Sequence, residues 1–458
     1  MPTPATTWFV LAMTARFKSI MHSTISWKVK MKIVILNYTG YRSNWGSQAT
    51  SRGLIQWISN VLFKDMPSSI EIVPYPPTHW RDIWHQKFEG EFLKTLYANP
   101  SPKYDDLITL ERLCVKRFGR QLERVKNADV VFFQGEGAIG GSRAYKRTQL
   151  FGLPFVAKHL YKKRVISCNQ TITFSDDNEE LMLKNIYSSF DLNFVREEES
   201  LRICQRPGWP KFEFMPDAAF FYNGGAGSKF SRQPGSYFCV TGSADLNSYN
   251  LSAYARSIDL ISRTYNLEPI FIYSRKSDGV VAKEYEKLIQ SHASVISHET
   301  NADVDDLIPV LSGSVFVLGG RYHTSITALT LAVPAILTNS NSHKSIGLAK
   351  IFHNDAKLVD HADQNQMVQS VADILADPVR LKSRIIDNLK GLQSPLQVAT
   401  DRVRSFLAFG SAAPKLTAKE SAFPSYSLSN RFRNLGPLKV LSRGINLGIY
   451  DRSSINKK

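Results

Sequence analysis

Phe316-Val317-Leu318-Gly319-Gly320-Arg321-Tyr322-His323-Thr324-Ser325-Ile326-Thr327-Ala328-Leu329 is the stretch whose reading decides the fold. An apolar run of strand length stops at two glycines, and an arginine and a histidine then lead into an apolar helical pattern. Doubly wound α/β sheets bind their ligands at strand exits of this kind. Arginine offers a planar fork to a carboxylate or phosphate, histidine exchanges protons near neutral pH, and a helix N-terminus favours an anion. Taken alone, the segment reads equally well as a site or as a helix start whose histidine is only a cap or a core contact.

The same alternation runs outward in both directions. Upstream, strands are expected at Lys32–Asn37, Ile70–Val73, Asp129–Phe133, Val165–Cys168, Leu192–Val195 and Phe212–Met215, with helices at Gln48–Phe63, Asp105–Lys126 and Asn178–Phe190 between them. A Gly/Pro/Ser-rich break at 223–236 follows, and the pattern restarts with strands at Tyr237–Thr241, Pro269–Tyr273, Val315–Leu318 and Ala335–Thr338. Helices should begin near Asn250, Val280, Val304, Thr324 and Lys344. The pattern predicts two doubly wound Rossmann-like α/β domains in tandem, 31–222 and 237–409, with a ligand cleft between the carboxyl ends of their strands.

Two flanking segments read as lying outside the fold: a 1–30 extension that folding and turnover should not need, and a basic 410–458 tail. The formal net charge is +17, but residues 1–30 hold four basic and no acidic residues, and 411–458 hold nine and two. The body is left at +6, and no helix-turn-helix, zinc or RNA-reading motif accompanies the charge, so nucleic acid is not an expected partner. The tail is better suited to peripheral contact with an anionic membrane, and reads better still as an inert solvated segment. No stretch supplies the ~18 uncharged apolar residues of a membrane span; the nearest, Val315 to Thr338, is interrupted by Arg321 and His323. Cys114, Cys168, Cys204 and Cys239 form no CxxC pair, which argues against a metal centre and for the reducing cytoplasm.

Other strand exits carry polar residues. Asn44-Trp45-Gly46-Ser47-Gln48-Ala49 leads into a helix, either as an anion-binding turn or as a start capped by Ser47. Gln134-Gly135-Glu136-Gly137 lets backbone approach a ligand, but fits neither a Walker loop nor a dinucleotide fingerprint. Ser167-Cys168-Asn169-Gln170-Thr171 ends another strand, and Arg196 stands at the exit of Phe194-Val195 as either a surface ion pair or an anion anchor.

In order, N-W-G-S-Q-A, G-E-G, S-C-N-Q-T, F-V-R-E-E-E-S, M-P-D-A-A-F, G-G-R-Y-H, A-V-P-A-I and H-K-S-I-G resemble the polysaccharide pyruvyl transferase family over residues 31–360. The resemblance implies a GT-B-like fold and phosphoenolpyruvate as donor, with no cofactor or metal. It also implies transfer of pyruvate as a ketal onto two hydroxyls of a saccharide acceptor, free or lipid-linked, in polysaccharide or cell-surface glycan assembly. Carried over residue by residue, Arg196 and Arg321 would hold the donor's anionic groups, with Lys344 beside them, and His323 would be the catalytic acid or base. Asn44, Gly46, Gly135, Glu136, Gly137 and Gln170 complete the candidate cleft. The chain departs from the pattern at Ser47, where an acidic residue often follows N-x-G. A nucleotide-sugar glycosyltransferase of the same fold and a non-catalytic saccharide-binding protein are the rival readings.

Overall fold

A computed structural model describes residues 30–76, 80–137, 139, 145–224, 230–274, 278–290, 292–297 and 303–409. The extension before Lys30, residues 225–229 of the expected linker and the basic tail lie outside the described residues.

The first sheet contains β1 (Met31–Tyr38), β2 (Ser68–Pro74), β3 (Val130–Glu136), β4 (Arg164–Gln170), β5 (Leu192–Val195) and β6 (Glu213–Phe214). The second contains β7 (Tyr237–Ser243), β8 (Glu268–Tyr273), β9 (Ser294–Ser297), β10 (Val317–Gly320), β11 (Ala335–Leu337) and β12 (Lys357–Leu358). Both are parallel, in the orders β2-β1-β3-β4-β5-β6 and β12-β11-β10-β7-β8-β9. Strand order reverses between β1 and β3 in the first sheet and between β7 and β10 in the second, and ligand crevices open at such switch points. The stretch ending in Gly319-Gly320 therefore leaves its sheet at the switch.

Helices cover both faces, so the strands read as continuous apolar runs rather than alternating ones. Ile33 and Ile35 face one layer with Val130 and Phe132, while Val34 and Leu36 face the other with Val131 and Phe133. β9 and β12 are the two strands the sequence does not announce. They are short edge strands, and Ser294–Ser297 offers only Val295 and Ile296 as apolar signal. The helix expected over Asp105–Lys126 is two helices, Tyr104–Phe118 and Gln121–Lys126, separated at Gly119, whose φ of 53° ends the first.

The last helix, Gln393–Phe409, does not close the second domain as the 237–409 boundary expects. It crosses back to the first sheet, where Ala399, Val403, Phe406 and Leu407 share a core with Trp57, Ile58 and Leu62. Trp57 Nε1 donates to Thr400 Oγ1 at 3.0 Å, Arg404 Nε to the Leu62 carbonyl at 3.1 Å, and Arg164 Nη1 to the Leu407 carbonyl at 2.9 Å. The two domains are thus joined twice, by the 223–236 passage and by this return.

Helix Trp45–Trp57 is the element on which both domains rest. Its Gly53 lies so close to the short 3₁₀ turn Ala218–Phe221 that a Cβ there would stand 1.9 Å from the Ala218 carbonyl oxygen. Alanine in mid-helix ordinarily gains about 0.5–1 kcal/mol over glycine, but a clash with backbone cannot be relieved by a rotamer change, and overpacking costs about 1–3 kcal/mol. Gly53→Ala should therefore destabilise, lowering the melting temperature by several degrees in a thermal scan; an unchanged or raised midpoint would contradict this packing.

Candidate active site

Asn44 caps helix Trp45–Trp57: its Oδ1 accepts from the amides of Gly46 at 3.0 Å and Ser47 at 3.4 Å. The cap is therefore Asn44 and not Ser47, and its side chain is spent on the helix. Gly46 faces the other domain, where a Cβ would stand 2.7 Å from His323 Cβ and Nδ1. Further along, Gln48 Oε1 accepts from the Val304 amide at 2.7 Å, and Arg52 Nη2 meets Asp303 Oδ2 at 2.6 Å. One helix of the first domain thus carries a glycine for His323 and two polar contacts to the second-domain helix Val304–Ser312.

Below it, five side chains form a chain of alternating charge. Arg196, 1% exposed, leaves the exit of β5; its Nε donates to Thr171 Oγ1 at 3.0 Å and its Nη1 to Asp217 Oδ2 at 2.7 Å. His323 Nε2 lies 3.4 Å from Asp217 Oδ2 and 3.3 Å from Arg196 Nη1. On the other flank Glu197 Oε2 stands 3.5 Å from Arg196 Nε, and Glu197 Oε1 is 3.4 Å from His343 Nε2. The Arg196 guanidinium also lies 4.9 Å from the centroid of the buried Tyr322 ring. The two carboxylates come from the first domain and the two histidines from the second, so the network exists only where the domains meet.

Burial works against the charge on Asp217, but Arg196 above all, then His323 and the Ala219 amide, hold its carboxyl well below the usual carboxylate range. Thr50 Oγ1 and the Ala219 amide donate to Asp217 Oδ1 at 2.9 Å and 2.8 Å. Burial likewise opposes the Arg196 charge, and Asp217, Glu197 and Glu136 more than offset it.

A family model described as polysaccharide pyruvyl transferase matches residues 44–342, about two thirds of the chain. This chain belongs to the polysaccharide pyruvyl transferase family. No curated protein matches it significantly. Among solved structures, one described as a UDP-N-acetylglucosamine 2-epimerase of Listeria monocytogenes is similar at 11% identity, over 83% of this chain and 96% of that one, with a TM-score of 0.51. A UDP co-structure of S. aureus MnaA shares 13% identity over 83% and 96%, with a TM-score of 0.48. A UDP-forming α,α-trehalose-phosphate synthase of Burkholderia vietnamiensis shares 13% over 85% and 99%, with a TM-score of 0.49. The fold is the GT-B-like pairing of two α/β domains.

In this pyruvyl transferase family member, Arg196, His323 and Gly46 converge, and Gly135-Glu136-Gly137 joins them from the exit of β3. A Cβ on Gly137 would stand 3.6 Å from Arg196 Nη2, and one on Gly135 would meet Gln170 Cβ at 2.5 Å. Gln170 is fully buried: its Nε2 donates to Ser167 Oγ and the Phe194 carbonyl, both at 2.9 Å, and its Oε1 accepts from Tyr187. It props the strand ends and does not face the cleft. Arg321 turns away from His323 and pairs through Nε and Nη2 with the buried Asp278. Lys344 Nζ donates to Asn341 Oδ1 at 2.7 Å.

Three members of the network escaped the sequence reading. Asp217 stands within M-P-D-A-A-F, His343 begins H-K-S-I-G, and Glu197 follows Arg196 in V-R-E-E-E; a carboxylate or histidine inside each motif was the available signal. Asp217→Asn would leave a buried guanidinium without its main partner, a change that typically costs about 3–5 kcal/mol. Because the folded carboxyl is held below its unfolded value of about 4, its contribution is full above that pH and is lost as pH falls further. Denaturant titrations at pH 7 and pH 3 should show a large deficit for the variant at pH 7 and a smaller one at pH 3. An equal deficit at both would refute the coupling.

Proposed function

We propose that this protein transfers pyruvate from phosphoenolpyruvate to two hydroxyls of a sugar as a ketal, with His323 as the proton carrier. The observation that carries the reading is the setting of the His323 ring. Nε2 lies between a permanent donor, Arg196, and a permanent acceptor, Asp217, while Nδ1 points over Gly46 with no partner among the described residues. A charged ring has a proton on Nδ1, and so does a neutral ring whose Nε2 accepts from Arg196. Only the neutral ring that donates Nε2–H to Asp217 lacks it, and that is the state left after Nδ1 has given its proton away. Orientation of a histidine by a buried carboxylate is the device expected of a general acid.

The donor's carboxylate and phosphate need cationic anchors. Arg196 and Arg321 each keep a carboxylate partner, yet each has a nitrogen to spare among the described residues: Nη2 of Arg196, beside Gly137, and Nη1 of Arg321, on the edge Asp278 leaves open. Two carboxylates against one guanidinium leave the buried network at −1 when both histidines are neutral. In its protonated form His323 can act as the acid. Protonation of the enol ether carbon makes C2 electrophilic, a sugar hydroxyl adds, phosphate leaves, and the neighbouring hydroxyl closes the ring. The lipid-linked or free state of the acceptor and a cytoplasmic site at the membrane's inner face remain part of this proposal. Among the described residues, no helix is long and apolar enough to cross a membrane. The fold is shared with nucleotide-sugar enzymes and does not choose the donor.

Phosphate release from phosphoenolpyruvate across a glycan panel, set against turnover of sugar nucleotides, tests the reading. His323→Asn should keep donor affinity and lose turnover by roughly 10²–10⁴-fold. Arg321→Ala should weaken donor binding by a factor on the order of 30 or more, and Arg321→Lys should restore it only in part, since a point charge cannot serve Asp278 and the donor together. Full turnover by His323→Asn would remove its assignment, and turnover of a sugar nucleotide alone would replace the donor.

A further inference from the structure

The reaction needs a second group, one that takes a proton from the attacking hydroxyl. Of the carboxylates around Arg196, two are fully engaged. Asp217 uses Oδ1 for Thr50 and the Ala219 amide, and Oδ2 for Arg196 and His323. Glu197 uses Oε1 for Ser200 and His343, and Oε2 for Arg196 and Thr171. Glu136 differs. Its Oε1 accepts from Thr39 Oγ1 and Gln134 Nε2, while Oε2 has no partner among the described residues, and the side chain is half-buried.

Its placement is also unusual. Glu136 ends β3 at the switch point of the first sheet with φ of 49°, and Asn37, the next-to-last residue of the neighbouring β1, has a φ of 60°. A non-glycine residue held there costs on the order of 1–3 kcal/mol and persists only where its surroundings dictate it. Here they do. Gly135 is wedged against Gln170 and Ile139, Asn37 Nδ2 donates to the Gln134 carbonyl, and the Thr171 amide donates to the Glu136 carbonyl at 3.0 Å. Thr171 also holds Arg196 through its hydroxyl, so a single residue fixes the acid and the guanidinium on adjacent strand exits.

We propose that Glu136 is the acceptor-side base: its free Oε2 receives the proton of the attacking sugar hydroxyl. The inference rests on the pyruvyl-transfer reading. In the addition step His323 Nδ1 delivers its proton to C3 of the enol ether, the hydroxyl oxygen bonds to C2, and the hydroxyl proton passes to Glu136. The bond from C2 to the phosphate oxygen then breaks, and the proton on Glu136 leaves with the phosphate. The second hydroxyl closes the ketal and returns a proton to His323. Two hydroxyl protons are lost by the sugar, one ends on the new methyl group and one on phosphate, and both side chains regain their starting states.

The test uses the full chain, phosphoenolpyruvate, and methyl glycosides of the common hexoses and N-acetylhexosamines, with phosphate release and donor affinity measured separately. Glu136→Gln preserves shape and should bind phosphoenolpyruvate within about 3-fold of the parent while releasing phosphate roughly 10²–10⁴-fold more slowly. Glu136→Asp, which retains the carboxylate but shortens its reach, should lose less. Turnover by Glu136→Gln within about 3-fold of the parent, or a loss wholly accounted for by weaker donor binding, would overturn the assignment. If the unaltered protein neither binds phosphoenolpyruvate nor releases phosphate from it with any acceptor, the pyruvyl-transfer reading falls first and this role with it. Binding and turnover by the parent alongside an active Glu136→Gln would sink only the base.

Discussion

A guanidinium withdrawn from water must be matched on the spot, and most of the site follows from that requirement at Arg196. The isolated burial of such a charge costs several kcal/mol, so the 1% exposure of Arg196 is sustainable only because Asp217 lies 2.7 Å away and Glu197 and Thr171 close its other side. Those partners have requirements of their own. Asp217 needs donors at both oxygens and finds them in Thr50, the Ala219 amide and the ring of His323. Satisfying one buried charge thereby fixes the exit of β4, the 3₁₀ turn Ala218–Phe221 and a histidine from the other domain.

The same requirement couples the domains. With His323 and His343 both supplied by the second domain, separation of the halves would uncover Asp217 and Glu197 and strip each of a partner. Helix Trp45–Trp57 makes the approach sterically feasible, since a side chain at Gly46 would occupy the place of His323. In the proposed reaction, which must exclude water, a histidine held at the domain junction would be shielded by both halves. Gln48 and Arg52 on the same helix add contacts to Val304 and Asp303, so the junction between the domains does not depend on the histidines alone.

Much of this was legible in the chain itself. Apolar runs separated by helical periods are a strong signal, and ten of the strands stand close to where those runs put them. The two short edge strands bury too little to leave one, and the return of Gln393–Phe409 to the first sheet is a long-range packing choice with no local mark. At the site, Arg196 was conspicuous as a charged residue directly after the apolar strand β5, and His323 as a histidine at the start of the helix that follows β10. Asp217 was not, because it follows β6, a strand of two residues, and its importance comes from a partner twenty-one residues earlier. Gln170 misled for the opposite reason: polarity at a strand end looks like a ligand contact until the neighbouring strand is seen to consume it.

The balance of charge also bears on what kind of catalyst such a site makes. A pocket built only to retain an anion would present unpaired cations, whereas here Arg196, Arg321 and Arg52 each keep a carboxylate. Pairing lowers the affinity such a site can offer a donor in its ground state, but it fixes the geometry of the groups that move protons. Interactions realised only as charge shifts in the transition state raise turnover, while uniform affinity does not. Arg196 is thus the charge that keeps Asp217 ionised beside His323, and in the proposed reaction that pair would aim the Nδ1 of the histidine, which has no partner among the described residues.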